Sequence, residues 1–79
     1  MAHVPKDDTD VLWRELKTRD WDSFHEILSQ HKGKTNGISD TLVDMMLEEA
    51  KELKKEGIPF PGSADELNQI LNERFSQRK

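Results

Sequence analysis

The chain has 79 residues, which allow one domain with a small core. Apolar residues make up 33%, charged residues make up 35%, and the formal net charge is −4. There is no cysteine, which excludes disulfides and thiolate metal sites, and the acidic balance argues against nucleic acid as the main partner. No apolar run approaches the ~20 residues of a membrane span. We therefore expect one helical domain over residues 1–79, in the cytoplasm and without membrane contact.

The first predicted helix covers residues 8–18. Acidic and hydroxyl residues from Asp7 to Asp10 are candidates for its N-cap and suit the positive end of the helix dipole. Its apolar face holds Leu12, Trp13 and Leu16. Pro5 discourages an earlier helix start, so residues 1–7 are predicted to be disordered.

The second predicted helix covers residues 20–31, with Asp20 as its N-cap. Its apolar stripe recurs at helical spacing and contains Trp21, Phe24, Ile27, Leu28 and His31. Two interpretations of His31 stay open: a pH-sensitive contact, or an ordinary residue of the last helical turn. Glycines at both ends mark the segment from Gly33 to Gly37 as the clearest loop.

The third predicted helix covers residues 39–56 and has the strongest pattern. Ser39 is a natural N-cap, and the apolar stripe that follows contains Leu42, Val43, Met46, Leu47, Ala50 and Leu53. Gly57 stands where a left-handed residue ends a helix, and Ile58 stands where the Schellman motif makes its apolar contact. The sequence thus predicts both ends of this helix.

A connector rich in proline precedes the fourth helix. Its prolines favour extended backbone at the preceding Ile58 and Phe60, so we expect at least one of these side chains to fill the core.

The fourth predicted helix covers residues 63–75. Ser63 and Glu66 match a capping box, and the apolar face contains Leu67, Ile70, Leu71 and Phe75. Residues 76–79 are predicted to be disordered. Four short helices joined by short loops predict an all-α fold, a small bundle with the third helix longest.

No group of residues in the sequence predicts catalysis. There is no cysteine or tyrosine, no Gly-x-Ser-x-Gly nucleophile elbow, and no carboxylate that the periodicity places on an apolar stripe. The histidines, His3, His25 and His31, lack the spacing of metal ligands on a helix. We therefore expect no enzyme, no metal, no cofactor and no small-molecule substrate.

Two candidate contact surfaces remain. The first is a group of large apolar side chains, Trp13, Trp21 and Met45, of which Met45 lies at the edge of its stripe and either contacts a partner or borders a wide core. The second is an acidic stripe on the third helix, spaced by four residues: Asp40, Asp44, Glu48, Glu52 and Glu56. This stripe either binds a basic partner or is merely solvated, with Lys51 and Lys55 near enough to offset Glu48 and Glu52.

These surfaces favour a non-catalytic protein–protein interaction module or small regulatory protein that binds another protein or forms a homodimer. Association would help a chain this short to gain stability. One alternative is a helical DNA-binding transcriptional regulator that uses the local basic residues Lys32, Lys34, Arg74, Arg78 and Lys79. A second alternative is an acidic DNA mimic or inhibitor that binds a basic partner.

Overall fold

Four helices make up the regular structure of the chain in a computed structural model, which describes residues 3–32 and 38–77. They are α1 (Lys6–Glu15), α2 (Trp21–His31), α3 (Asp40–Lys55) and α4 (Ala64–Gln77). The described residues contain no strand, so the predicted all-α bundle is confirmed. The last three helices begin and end within two residues of their predicted bounds. The predicted loop at 33–37 lies outside the described residues.

The N-caps predicted for the last three helices are confirmed. The Asp20 carboxylate accepts the Ser23 N–H at 2.7 Å, and the Ser39 hydroxyl accepts the Leu42 N–H at 3.2 Å. The Ser63 hydroxyl likewise accepts the N–H of Glu66 at 3.2 Å. Each cap provides a partner for an amide that the first helical turn leaves without one.

Helix α1 differs from its prediction at both ends. It begins at Lys6, two residues early, with Pro5 at the N-cap position and no side-chain cap. The Pro5 carbonyl accepts the Thr9 N–H at 3.2 Å, so the first helical turn begins within residues 1–7, which were predicted to be disordered. The helix stops at Glu15, because Leu16 has extended backbone. Thr9 is buried rather than capping.

The segment before α1 is anchored to α4. Val4 is fully buried; its N–H donates to the Asn72 side-chain oxygen at 2.7 Å, and its carbonyl accepts the Asn68 amide at 2.9 Å. The same Asn68 amide donates to the Thr9 hydroxyl at 2.9 Å. The expectation of disorder therefore does not hold for residues 4–7, and α4 similarly continues through Gln77.

Helices α2 and α3 form the most extensive helix pair of the fold. Lys54, near the end of α3, pairs with Asp22 at the start of α2, at 2.5 Å. At the other end Lys32, which follows α2, pairs with Asp44 near the start of α3, at 2.9 Å. The two helices are therefore antiparallel. These ion pairs are exposed and each contributes little to stability, so the apolar stripes between the helices hold them together.

The turn after α3 is the predicted Schellman motif. Gly57 has φ +77°, and its N–H donates to the Lys54 carbonyl at 3.1 Å. The Ile58 N–H donates to the Leu53 carbonyl, also at 3.1 Å. A left-handed residue is needed here, which explains the glycine.

The connector after this turn fills the core, as predicted. The Phe60 ring lies 4.7 Å from Trp21, 5.8 Å from Trp13 and 6.3 Å from Phe24, measured between centroids. Phe60 thereby joins α1, α2 and the connector in one aromatic cluster. The buried core draws on all four helices, on the N-terminal segment and on the residue before the N-cap of α3: Val4, Leu12, Trp21, Phe24, Ile27, Leu28, Ile38, Val43, Met46, Ala50, Leu53, Leu67, Leu71 and Phe75. A shared core is in line with one domain over residues 1–79, which stays a prediction because the described residues do not span that whole range.

None of the helices in the described part of the chain combines the length and the apolar character that crossing a bilayer requires.

Candidate interaction surface

The predicted apolar contact group does not form one exposed patch. Trp21 is only 6% exposed, and its indole N–H donates to the Ile58 carbonyl at 2.7 Å. The prediction that Trp21 lies on a contact surface is therefore wrong, because the connector covers it. Met45 is half-buried and packs against the core, which agrees with the interpretation that it borders a wide core.

Trp13 keeps part of its ring at the surface, but that ring also has partners. It stacks on Phe60 with 15° between the ring planes, and the Arg19 guanidinium carbon lies 4.6 Å from its centroid. Among the described residues Val11, at 41% exposure, is the one large apolar side chain that is exposed. The described residues therefore present no group of exposed large apolar side chains.

The acidic stripe of α3 is exposed along its whole length. Asp44 pairs with Lys32, and Glu56 accepts two hydrogen bonds from the Arg74 guanidinium. Lys51 and Lys55, which the sequence places near enough to offset Glu48 and Glu52, make no ion pair within the described residues.

These two lysines instead line an open cleft between α2 and α3. The cleft has a volume of about 480 Å³ and is lined by Asp22, His25, Lys51, Lys54 and Lys55. Lys54 is paired with Asp22, so Lys51 and Lys55 are the cleft lysines without an ion pair to another described residue. Sequence reasoning missed this basic cleft, because it forms only when α2 folds back along α3 and brings His25 beside the lysines.

The outer face of α2 and α3, the side that carries this cleft, therefore has two oppositely charged ends. At the basic end, the three lysines that line the cleft outnumber the one carboxylate that lines it, Asp22, although the exposed Glu52 and the Arg74-paired Glu56 lie close by in sequence. At the acidic end, Lys32 pairs with Asp44 and lies near Asp40, and the exposed Glu48 follows one turn after Asp44 on α3. Because α2 runs antiparallel to α3, its last residues lie beside the acidic start of α3 and its first residues lie beside the basic end of α3. The acidic end and the basic end therefore both lie along α3.

One carboxylate of α3 is buried, contrary to the expectation that none lies on an apolar stripe. Glu49 is 3% exposed and accepts a hydrogen bond from Arg74 Nε at 3.0 Å. It borders the stripe on the side that meets α4, and its partner is 25 residues away in sequence. Hydrogen bonds from Arg74 hold the pKa of the Glu56 carboxyl below its usual range, and the same bonds raise the pKa of Arg74. The arrangement joins α3 to α4 by charge-assisted hydrogen bonds.

The basic residues of the predicted DNA-binding alternative are used differently. Arg74 is committed to Glu49 and Glu56, and Lys32 to Asp44. The pairing with Asp44 raises the pKa of Lys32. Lys34, Arg78 and Lys79 lie outside the described residues. Within the described residues, Lys51, Lys54 and Lys55 lie together at the basic cleft.

His31 is buried, and its Nε2 contacts the Glu15 carboxylate, which joins the end of α2 to the end of α1. Within residues 3–32 and 38–77 no three histidine or carboxylate side chains converge to hold a metal ion.

Comparison of the chain with protein-family models, with curated proteins and with solved structures gives no match.

Proposed function

We propose that this chain is a non-catalytic protein-interaction module that binds a partner on the outer face of α2 and α3. The observation that supports this proposal best is the basic cleft, a shallow and open site with two lysines that have no ion pair within the described residues, in a chain of net charge −4. Opposite charges across an interface favour one orientation of the partner and discourage others. The partner that fits the cleft is an acidic protein segment.

The electrostatics at the cleft come mainly from side chains. The start of α2 and the end of α3 meet there, so the positive end of one helix dipole offsets the negative end of the other. Lys51 and Lys55 therefore supply positive charge at the cleft that Asp22 does not neutralise, with the exposed Glu52 between them in sequence. Elsewhere the chain is acidic, which disfavours a long polyanion such as DNA while a short acidic segment still fits.

Three classes of partner remain to be separated by experiment. Three fluorescently labelled probes represent these classes: a poly-glutamate peptide for an acidic protein, a 20-base-pair duplex for DNA, and protamine for a basic protein. The chain is titrated into each probe in low salt, and binding is followed by fluorescence anisotropy. We expect poly-glutamate to bind the wild-type chain and the double variant K51E/K55E to weaken that binding about tenfold or more. The control R14E/K17E makes the same charge change on exposed residues of α1 and of the turn after it, and leaves binding unchanged.

The other outcomes assign the other functions. Duplex binding that is tighter than poly-glutamate binding and falls steeply with salt would replace the proposal with the DNA-binding regulator. Protamine binding that is lost in the variant D44N/E48Q would instead identify the acidic inhibitor. If none of the probes binds, the outer face of α2 and α3 is not an interaction surface for charged partners.

A further inference from the structure

We propose that the acidic partner of the basic cleft is the acidic end of the same face in a second copy of this chain. In this dimer the α3 helices of two copies lie antiparallel, so each acidic end faces the other copy's basic end across a two-fold axis. The inference rests on the proposed function and names its partner.

The positions of four charged residues on α3 carry the inference. Asp44, Glu48, Lys51 and Lys55 lie within about 60° of one another around the helix, at 3.6 residues per turn. Two carboxylates occupy the first half of this row and two lysines the second half. All four side chains are on exposed residues, so the row is a charged stripe that changes sign near its middle.

Antiparallel packing puts opposite charges in register. When the two-fold axis passes between positions 49 and 50, position 44 stands opposite position 55, and position 48 opposite position 51. Asp44 then meets Lys55 of the second copy, and Glu48 meets Lys51, and the symmetry repeats both contacts. Glu48, like Asp44, already has a partner within its own chain, so both exposed carboxylates would exchange or share that partner on dimerisation. Parallel packing would place like charges opposite each other and is disfavoured by the same residues.

The present ion pairs permit this arrangement. Lys51 and Lys55 have no ion pair in the described chain, and Asp44 is paired only with Lys32, with both side chains more than half exposed. An exposed pair of this kind is readily exchanged, because it contributes little. The outer face is charged, and the molecule measures 31 × 31 × 20 Å. We therefore expect a small interface and a weak dimer that salt dissociates.

The test compares two charge-reversed double variants, each alone and in an equimolar mixture. Their association is measured by sedimentation velocity at concentrations up to about 500 µM. K51E/K55E makes the row wholly acidic, and D44K/E48K makes it wholly basic. We expect the wild type to dimerise in 20 mM salt, each variant alone to be monomeric, and an equimolar mixture to dimerise again. The dimer dissociation constant should rise about tenfold between 20 and 300 mM salt. Combining all four substitutions in one chain should restore self-association, and R14E/K17E should behave as wild type.

Circular dichroism of each variant first establishes that its helices have formed. If a charge-reversed variant does not fold, the neutral variant of the same two residues, K51Q/K55Q or D44N/E48Q, replaces it. A wild type that stays monomeric at 500 µM in low salt overturns the inference. So does a mixture that fails to associate, or an assembly that grows beyond the dimer. If poly-glutamate still binds the monomer through Lys51 and Lys55, the proposed function stands and only the second copy is excluded as the partner.

Discussion

The anchoring of the N-terminal segment by Val4 makes a quantitative prediction. Val4→Ala removes two methyl groups from a side chain with no exposed surface. At about 0.8 kcal/mol per buried methyl group, the lost transfer free energy is about 1.6 kcal/mol, and the cavity left behind raises the cost to about 2 kcal/mol. A domain of this size has a free energy of unfolding of about 4–12 kcal/mol, so the loss is a large fraction of it.

Urea denaturation followed by circular dichroism measures this loss. We expect the midpoint to fall in V4A with an unchanged slope, because the same surface is exposed on unfolding. His3→Ala is the matched control: His3 is the exposed neighbour of Val4, and its replacement should change the free energy of unfolding by less than about 0.5 kcal/mol. Asn72→Ala removes the acceptor of the Val4 N–H and should cost about 1–2 kcal/mol. Equal stability of V4A and H3A would refute the docking of this segment on α4.

Three further predictions concern α3 and the connector. Phe60→Ala should lower the free energy of unfolding by about 2–3 kcal/mol in urea titrations, since the half-buried ring contacts three aromatic side chains, while Phe60→Leu should lose less than half of that. Gly57→Ala should cost about 1–2 kcal/mol in the same assay because its φ of +77° strains any residue with a Cβ; a neutral result would argue against the Schellman turn. Arg74 lowers the pKa of Glu56, so this carboxylate stabilises the fold above its unfolded pKa and loses that effect as the pH falls through its lower folded pKa. The stability difference between wild type and Glu56→Gln, measured near pH 7 and near pH 2.5, should therefore shrink on acidification; a difference that grows would contradict the assigned pairing.

The sequence predicts those parts of the fold that local interactions determine. The N-caps at Asp20, Ser39 and Ser63 each bond to an amide three residues along the chain, so the sequence alone contains both partners. The same holds for the turn at Gly57. The prolines around Phe60 likewise restrict the backbone locally, which is why a core role for the connector could be predicted.

The features that were missed depend on partners distant in sequence. Helix periodicity places Trp21 on an apolar stripe but does not say that the Ile58 carbonyl receives its indole N–H, 37 residues away. The burial of Glu49 depends in the same way on Arg74. The basic cleft needs the antiparallel pairing of α2 and α3, which the lysine spacing on α3 alone does not specify. The candidate surface was therefore predicted only in its acidic half.

The hydrogen bond between Val4 and Asn72 joins positions 68 residues apart in sequence. During translation Asn72 leaves the ribosome tunnel long after Val4 has emerged. The valine must therefore wait in solvent, accessible to chaperones, until α4 has also emerged. Any ribosome-bound factor that recognises this segment has that interval in which to act, before the last helix covers it.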